Sequence, residues 1–187
     1  KTGGDTIAAI LFLLGVRIKH SRNAWFKELE LIPLVELNRP RIDVVITICG
    51  IFRDTFGTHI DLLNRAFEMA AGCDESGEHN FVKKHWQEQR ETLQEFALAR
   101  IFGPSPTEYA TSMRTLVETG SWQREEDLVK QYDDSMSYAY FRGKVQKHVQ
   151  AFAQAAQSVD LVTQERDNNE YEVTDLDHYY EFLGGLA

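Results

Sequence analysis

The sequence predicts an α/β layered domain, a mostly parallel sheet flanked by helices. Three observations predict it. Strand-like runs around Leu31, Val45, Ile101 and Leu161 alternate with helical segments, the pattern that buries a parallel sheet between helices. The run Ile42 to Ile48 is continuous and rich in β-branched residues, as a strand covered on both faces requires. That run stops at Cys49-Gly50, and the charged pair Arg53-Asp54 follows within one helical turn. Strand, turn and helix start thus succeed one another where α/β proteins place ligands. The expected arrangement is Rossmann-like or flavodoxin-like, in one domain over residues 1–187. The stretch near 134–143 is linker-like and would set off a small C-terminal part, residues 144–187, if a boundary exists.

Element by element, Asp5 is placed to cap an amphipathic helix that runs through Leu14 and closes at Gly15. Glu28-Leu29-Glu30-Leu31-Ile32-Pro33 alternates like a strand and stops at the proline. Asp61 to Ala70 has helical spacing, with Gly72 as a stop, and the polar stretch Asp74 to Asn80 reads as a loop. A long helix is expected from Phe81 to Phe96. Leu98 to Phe102 is a short apolar run before the loop Gly103-Pro104-Ser105-Pro106. Helices are expected near Tyr109–Glu118 and Arg124–Ser135, irregular structure over Asp134–Tyr140, and a helix over Lys144–Ser158. Asp160 to Gln164 reads as a strand, and Leu176 to Phe182 as a short aromatic helix ended by Gly184-Gly185.

The formal net charge of −9 argues against nucleic acid or an anionic membrane as the main partner, because both attract basic surfaces. The apolar run Ile7 to Val16 is too short to span a bilayer. Cys49 and Cys73 are far apart and form no CxxC pair, which fits reduced thiols in a cytoplasmic protein. The chain opens at Lys1 rather than Met, so a piece of a longer polypeptide is expected.

Several residues are candidates for chemistry. The backbone N–H of Gly50 sits where a helix start can hold a carboxylate or phosphate, and Arg53 would add a two-pronged donor. The competing reading is an Arg53–Asp54 ion pair at a helix start. Glu78-His79-Asn80, with His85 downstream, offers carboxylate and imidazole ligands for a metal in a compact region. The six-residue separation of His79 and His85 does not put both on one helix face, and a solvated loop leading into an exposed helix is the alternative. In the tail, Asp175, Asp177, His178 and Glu181 could gather a hard metal ion, or simply cap and dock a short helix.

Blocks of this sequence resemble the large subunit of the CobN/magnesium chelatase family. They are Thr2-Gly3-Gly4-Asp5 leading to Leu14-Gly15-Val16-Arg17; Glu30-Leu31-Ile32-Pro33-Leu34 with Glu36-Leu37; and Arg39-Pro40-Arg41-Ile42-Asp43-Val44-Val45 through Gly50-Ile51-Phe52-Arg53-Asp54. Further on are Ile60 to Ala66, Asn80-Phe81-Val82-Lys83-Lys84-His85, Arg100-Ile101-Phe102-Gly103 and Tyr138-Ala139-Tyr140. They keep the family's order and span nearly the whole chain. Gly57-Thr58-His59 and Gly77-Glu78-His79 depart from the family pattern.

The resemblance implies a metal chelatase of several subunits. The large subunit binds a tetrapyrrole, and AAA+ ATPase partner subunits hydrolyse ATP; nothing in this chain resembles a nucleotide-binding loop. One branch inserts Co2+ into hydrogenobyrinic acid a,c-diamide on the way to cobalamin, the other Mg2+ into protoporphyrin IX. The ends of the chain, Thr2-Gly3-Gly4-Asp5 and the tail from Asp167 to Leu186, resemble the cobalt branch more. A homologue that binds tetrapyrrole without inserting a metal is a further alternative. Ring nitrogens must lose protons during insertion, so a base must stand near the ring, and the metal must exchange water for protein ligands. In that light Asp54, His85 and Glu36 are candidates for base or metal relay, Arg53, Gly50 and Arg39 for substrate binding, and His79 and Glu78 for metal binding.

Overall fold

The structure, a computed structural model, describes residues 4–19, 28–111 and 113–163. Helix α1 (Asp5–Leu14) lies between two left-handed glycines, and the closing N–H at Gly15 reaches the carbonyls of Leu11 and Phe12. Asp5 is the first helical residue rather than the cap, a position that Gly4 takes. Strands β1 (Val16–Lys19) and β2 (Glu28–Leu31) pair antiparallel as a separate ribbon, with Val16 opposite Leu31. A single turn, α2 (Leu34–Leu37), follows Pro33.

Then come β3 (Ile46–Thr47), α3 (Gly50–Thr55) and α4 (Gly57–Gly72). Helix α5 (Phe81–Leu93) runs into a 3-10 turn at Gln94–Leu98, and β4 (Ile101–Gly103) follows. Helices α6 (Met113–Thr119) and α7 (Glu125–Met136) lead to β5 (Tyr138–Phe141), β6 (Lys144–Lys147) and α8 (Val149–Gln157). No helix of the described residues is long and apolar enough to cross a membrane.

The main sheet has the order β3-β4-β5-β6. It is mixed: β3 and β4 are parallel, whereas β4–β5 and β5–β6 are antiparallel. The fold is therefore α/β with a mixed sheet, and the mostly parallel sheet expected from the alternation of elements is corrected. The reason lies in the C-terminal half. Arg142 and Gly143 both have positive φ, which closes a tight hairpin between Phe141 and Lys144. Consequently Tyr138–Phe141 is a strand rather than irregular, and the segment expected to be helical from Lys144 begins with four strand residues.

The expected long strand Ile42–Ile48 is also shorter than its composition suggests. Only Ile46 and Thr47 pair with β4, with N–H bonds from Ile46 to Arg100 and from Ile48 to Phe102. Upstream, the Ile42 N–H caps the end of α1 at Leu13, and Arg41 bridges to Asn80. The run is mostly half-buried rather than covered on both faces. Residues 160–163 are neither strand nor helix, which corrects that part of the strand expected at Asp160–Gln164; Gln164, the aromatic helix at 176–182 and the acidic tail lie outside the described residues.

One hydrophobic core unites these elements. Helix α4 buries Ile60, Leu63, Ala66, Phe67 and Ala70 along one face, at the spacing of a helix packed on one side. Helices α7 and α8 close over the sheet through an aromatic group: the rings of Phe102 and Phe152 meet at 5.2 Å and those of Tyr132 and Phe152 at 6.1 Å.

Candidate functional site

Helix α5 begins because Asn80 accepts the N–H of Lys83 at 3.0 Å. That start points the next turn of α5 at the β3 approach. There His85 Nδ1 lies 2.8 Å from Oδ2 of Asp43, across 42 residues of chain. Asp43 in turn receives Nε of Arg100 on both oxygens, at 3.1 and 3.0 Å, and the N–H of Val44 at 3.0 Å. Arg100 spends a second nitrogen on the carbonyls of Ala97 and Ala99 and is itself buried. The result is a chain of arginine, carboxylate and imidazole in which the imidazole is the most exposed member, partly buried at 23% against 7% for Asp43. An open hollow lined by Ser76, Gly77, Glu78, Phe81 and Lys84 lies beside the first turn of the same helix.

A second buried charge holds the ground under this site. Arg41 is fully buried and grips Glu75 with two nitrogens, at 2.8 and 2.7 Å. Its remaining donors reach the carbonyls of Leu14, Gly15 and Ile32. Asn80 links to the same carboxylate at 3.0 Å and to Cys73 Sγ at 3.3 Å. Burial pushes the Glu75 carboxyl up, but hydrogen bonds from Arg41 and Cys73 outweigh it and hold the group below the usual carboxylate range. Burial also pushes the Cys73 thiol up, helped by Glu75.

The strand-turn-helix at Gly50 is present, but its groups already have partners. The Gly50 N–H donates to the Tyr109 carbonyl at 2.8 Å, so it does not face an anion as expected. Arg53 donates to both oxygens of Asp54, at 2.7 and 3.1 Å, and to the carbonyls of Ser105 and Glu108. The ion-pair reading of Arg53 and Asp54 thus describes the geometry, and Arg53 also ties α3 to the 105–109 loop. Its hydrogen bonds hold the Asp54 carboxyl below the usual range. Tyr140 closes the same corner, its hydroxyl donating to the Pro104 carbonyl.

The other expected residues stand apart. Arg39 caps the end of α1 through the carbonyls of Phe12 and Leu13, and its guanidinium lies 4.4 Å from the Phe12 ring centre. Glu36 pairs with Arg17 at 2.6 Å on the surface of the two-stranded ribbon. Glu78 and His79 are exposed in the loop before α5; the His79 carbonyl accepts the Arg41 N–H. Among the described residues, no three His, Cys, Asp or Glu side chains converge on a metal position. Glu36, Asp54 and His85 share no hydrogen bond; each answers to its own partner. Asp43, Arg41, Arg100 and Glu75 went unassigned at the level of sequence, although charges flanking a β-branched run (Arg41 and Asp43) are a signal that the run buries ions.

Comparison with known proteins places this architecture. The chain matches the family described as CobN/Magnesium Chelatase over residues 1–187. The chain belongs to the CobN/magnesium chelatase family. Relatives in that family carry both names. The rice magnesium-chelatase subunit ChlH is 36% identical over 97% of this chain and 14% of its own length. The aerobic cobaltochelatase subunit CobN of Pseudomonas aeruginosa is 32% identical over all of this chain and 16% of its own. The solved catalytic subunit of cobaltochelatase from Mycobacterium tuberculosis superposes with a TM-score of 0.90 at 31% identity, over 97% of this chain and 16% of that one. This CobN/magnesium chelatase chain therefore spans about a sixth of the length of the relatives it matches.

Proposed function

We propose that this chain is part of the tetrapyrrole-binding large subunit of an ATP-dependent cobaltochelatase, which inserts Co2+ into hydrogenobyrinic acid a,c-diamide with AAA+ ATPase partners. The observation that carries the cobalt reading is the superposition on the cobaltochelatase catalytic subunit at a TM-score of 0.90. Insertion of Mg2+ into protoporphyrin IX is the second reading, favoured by the 36% identity to the rice magnesium-chelatase subunit.

Within that reading His85 is the base. Metal–nitrogen bonds form as ring N–H bonds break, and a neutral imidazole with one nitrogen anchored is suited to receive the protons. His85 is the partly exposed end of a buried charge chain, which supports the role. Arg53 is the proposed anchor for a rim carboxylate: its fork now holds the half-exposed Asp54 carboxylate, and a substrate carboxylate would take the same geometry by displacing Asp54.

The test uses the full-length subunit with its ATPase partners and ATP, offered each metal with each tetrapyrrole. Cobalt insertion into the corrin precursor is expected. Magnesium insertion into protoporphyrin would establish the second reading. Binding of a tetrapyrrole with no insertion would make the protein a non-catalytic homologue, and failure to bind either would overturn all three.

A further inference from the structure

We propose that Asp43 is a positioning residue for His85, fixing the imidazole in the one tautomer that can accept a proton from a tetrapyrrole nitrogen. The proposal rests on the reading of His85 as the base. Asp43 is a carboxylate flanked by the buried Arg100 guanidinium, which lies 3.0 Å from the oxygen that also meets His85. An ionised carboxylate only accepts hydrogen bonds, so the contact with His85 places the ring proton on Nδ1. The lone pair is then on Nε2, the ring nitrogen turned away from Asp43.

The carboxylate cannot rotate to release the ring. Its first oxygen is held by the Val44 N–H and by Arg100; its second is held by Arg100 and His85. Arg100 is locked by the carbonyls of Ala97 and Ala99. Both Asp43 oxygens and the Nε and Nη1 groups of Arg100 are thus hydrogen-bonded behind the imidazole, and these groups need little reorganisation when the ring turns cationic.

A ring N–H bond breaks, its proton forms an N–H bond at Nε2, and the electron pair left on the ring nitrogen goes to the entering metal. The imidazolium, facing the Asp43 carboxylate across 2.8 Å, then releases the proton to water.

Metal insertion by the full-length subunit with its ATPase partners and ATP tests this. Asp43→Asn presents an amide that can donate to Nδ1 and force the wrong tautomer. Its kcat is expected to fall on the order of 100-fold, the scale of general base catalysis, with the tetrapyrrole KM nearly unchanged. His85→Ala is expected to lose a similar factor, and adding Asp43→Asn to it to cost nothing further, because Asp43 acts only through the ring. An unchanged kcat in Asp43→Asn beside a collapsed kcat in His85→Ala overturns the positioning role and leaves the base reading standing. An additional loss in the double variant also overturns it, since Asp43 would then act on the fold. An unchanged kcat in His85→Ala removes the base reading itself, and the positioning role with it. If Asp43→Asn does not fold, Asp43→Glu keeps the charge opposite Arg100, displaces the oxygens, and is read by the same outcomes.

Discussion

The amide of Gly50 and the backbone of Tyr109 are packed against each other. The Gly50 N–H donates to the Tyr109 carbonyl at 2.8 Å, and a Cβ at position 50 would stand 2.6 Å from the Tyr109 Cα. This contact docks the 105–109 loop on the first residue of α3.

Gly50→Ala therefore pushes a methyl group against the Tyr109 backbone, and no side-chain rotation relieves it. We expect a loss of about 1–3 kcal/mol in urea unfolding, as for overpacked sites. Gly57→Ala, where an added Cβ meets nothing within 4 Å, is the control and is expected to leave stability unchanged or raise it slightly.

Arg53 holds the other side of the same contact, through the carbonyls of Ser105 and Glu108. Arg53→Ala in the full subunit is expected to weaken tetrapyrrole binding in a fluorescence-quenching titration. Asp54→Asn frees the fork from a competing charge and is expected to tighten binding of a carboxylate-bearing ring. Unchanged affinity in both would remove this corner from the binding site.

Glu75→Ala leaves the buried Arg41 guanidinium without its counter-charge. A loss of about 3–5 kcal/mol is expected for breaking such a pair. The pH dependence follows from the depressed Glu75 carboxyl. Its contribution is fully present above the unfolded carboxylate value of about 4.3 and is lost as pH falls through the lower folded value. The stability gap between the protein and Glu75→Gln should hold from neutral pH to about 5 and shrink below it, measured by urea midpoints.

Cys73 is half-buried beside Glu75, and its thiol is raised above the ordinary value. It should react with iodoacetamide at pH 8 more slowly than the same cysteine in denaturant, because the thiolate is the nucleophile. Mass spectrometry of the alkylated peptide gives both rates; equal rates would contradict the hydrogen-bonded thiol.

Much of this fold was legible along the chain because its signals are local. Gly15 and Gly72 end helices where their spacing says so, and α3 starts at Gly50 after its cap at Cys49. The sheet is not legible where pairing depends on distant segments. Nothing local to Ile42–Val45 shows that the Ile42 N–H is spent on the end of α1 and the Val44 N–H on the Asp43 carboxylate. The hairpin at Arg142-Gly143 did carry a local sign, a glycine between two alternating runs, but the alanine-rich stretch behind it suggested a longer helix. The site was the least legible part. Asp43, His85 and Arg100 are 42 and 57 residues apart in pairwise contact, and only the folded chain brings them together. Family resemblance identified blocks containing all three without saying that they touch.

Arg41 gathers its partners from three segments that are remote in the chain: the end of α1, the residue after β2, and the loop that carries Glu75. If any one segment departs, a guanidinium is left in an apolar interior with donors unmet, at a cost of several kcal/mol. Half-assembled forms are correspondingly rare. The three segments are therefore expected to melt as one cooperative unit, with their protected amides sharing a single opening free energy in hydrogen exchange.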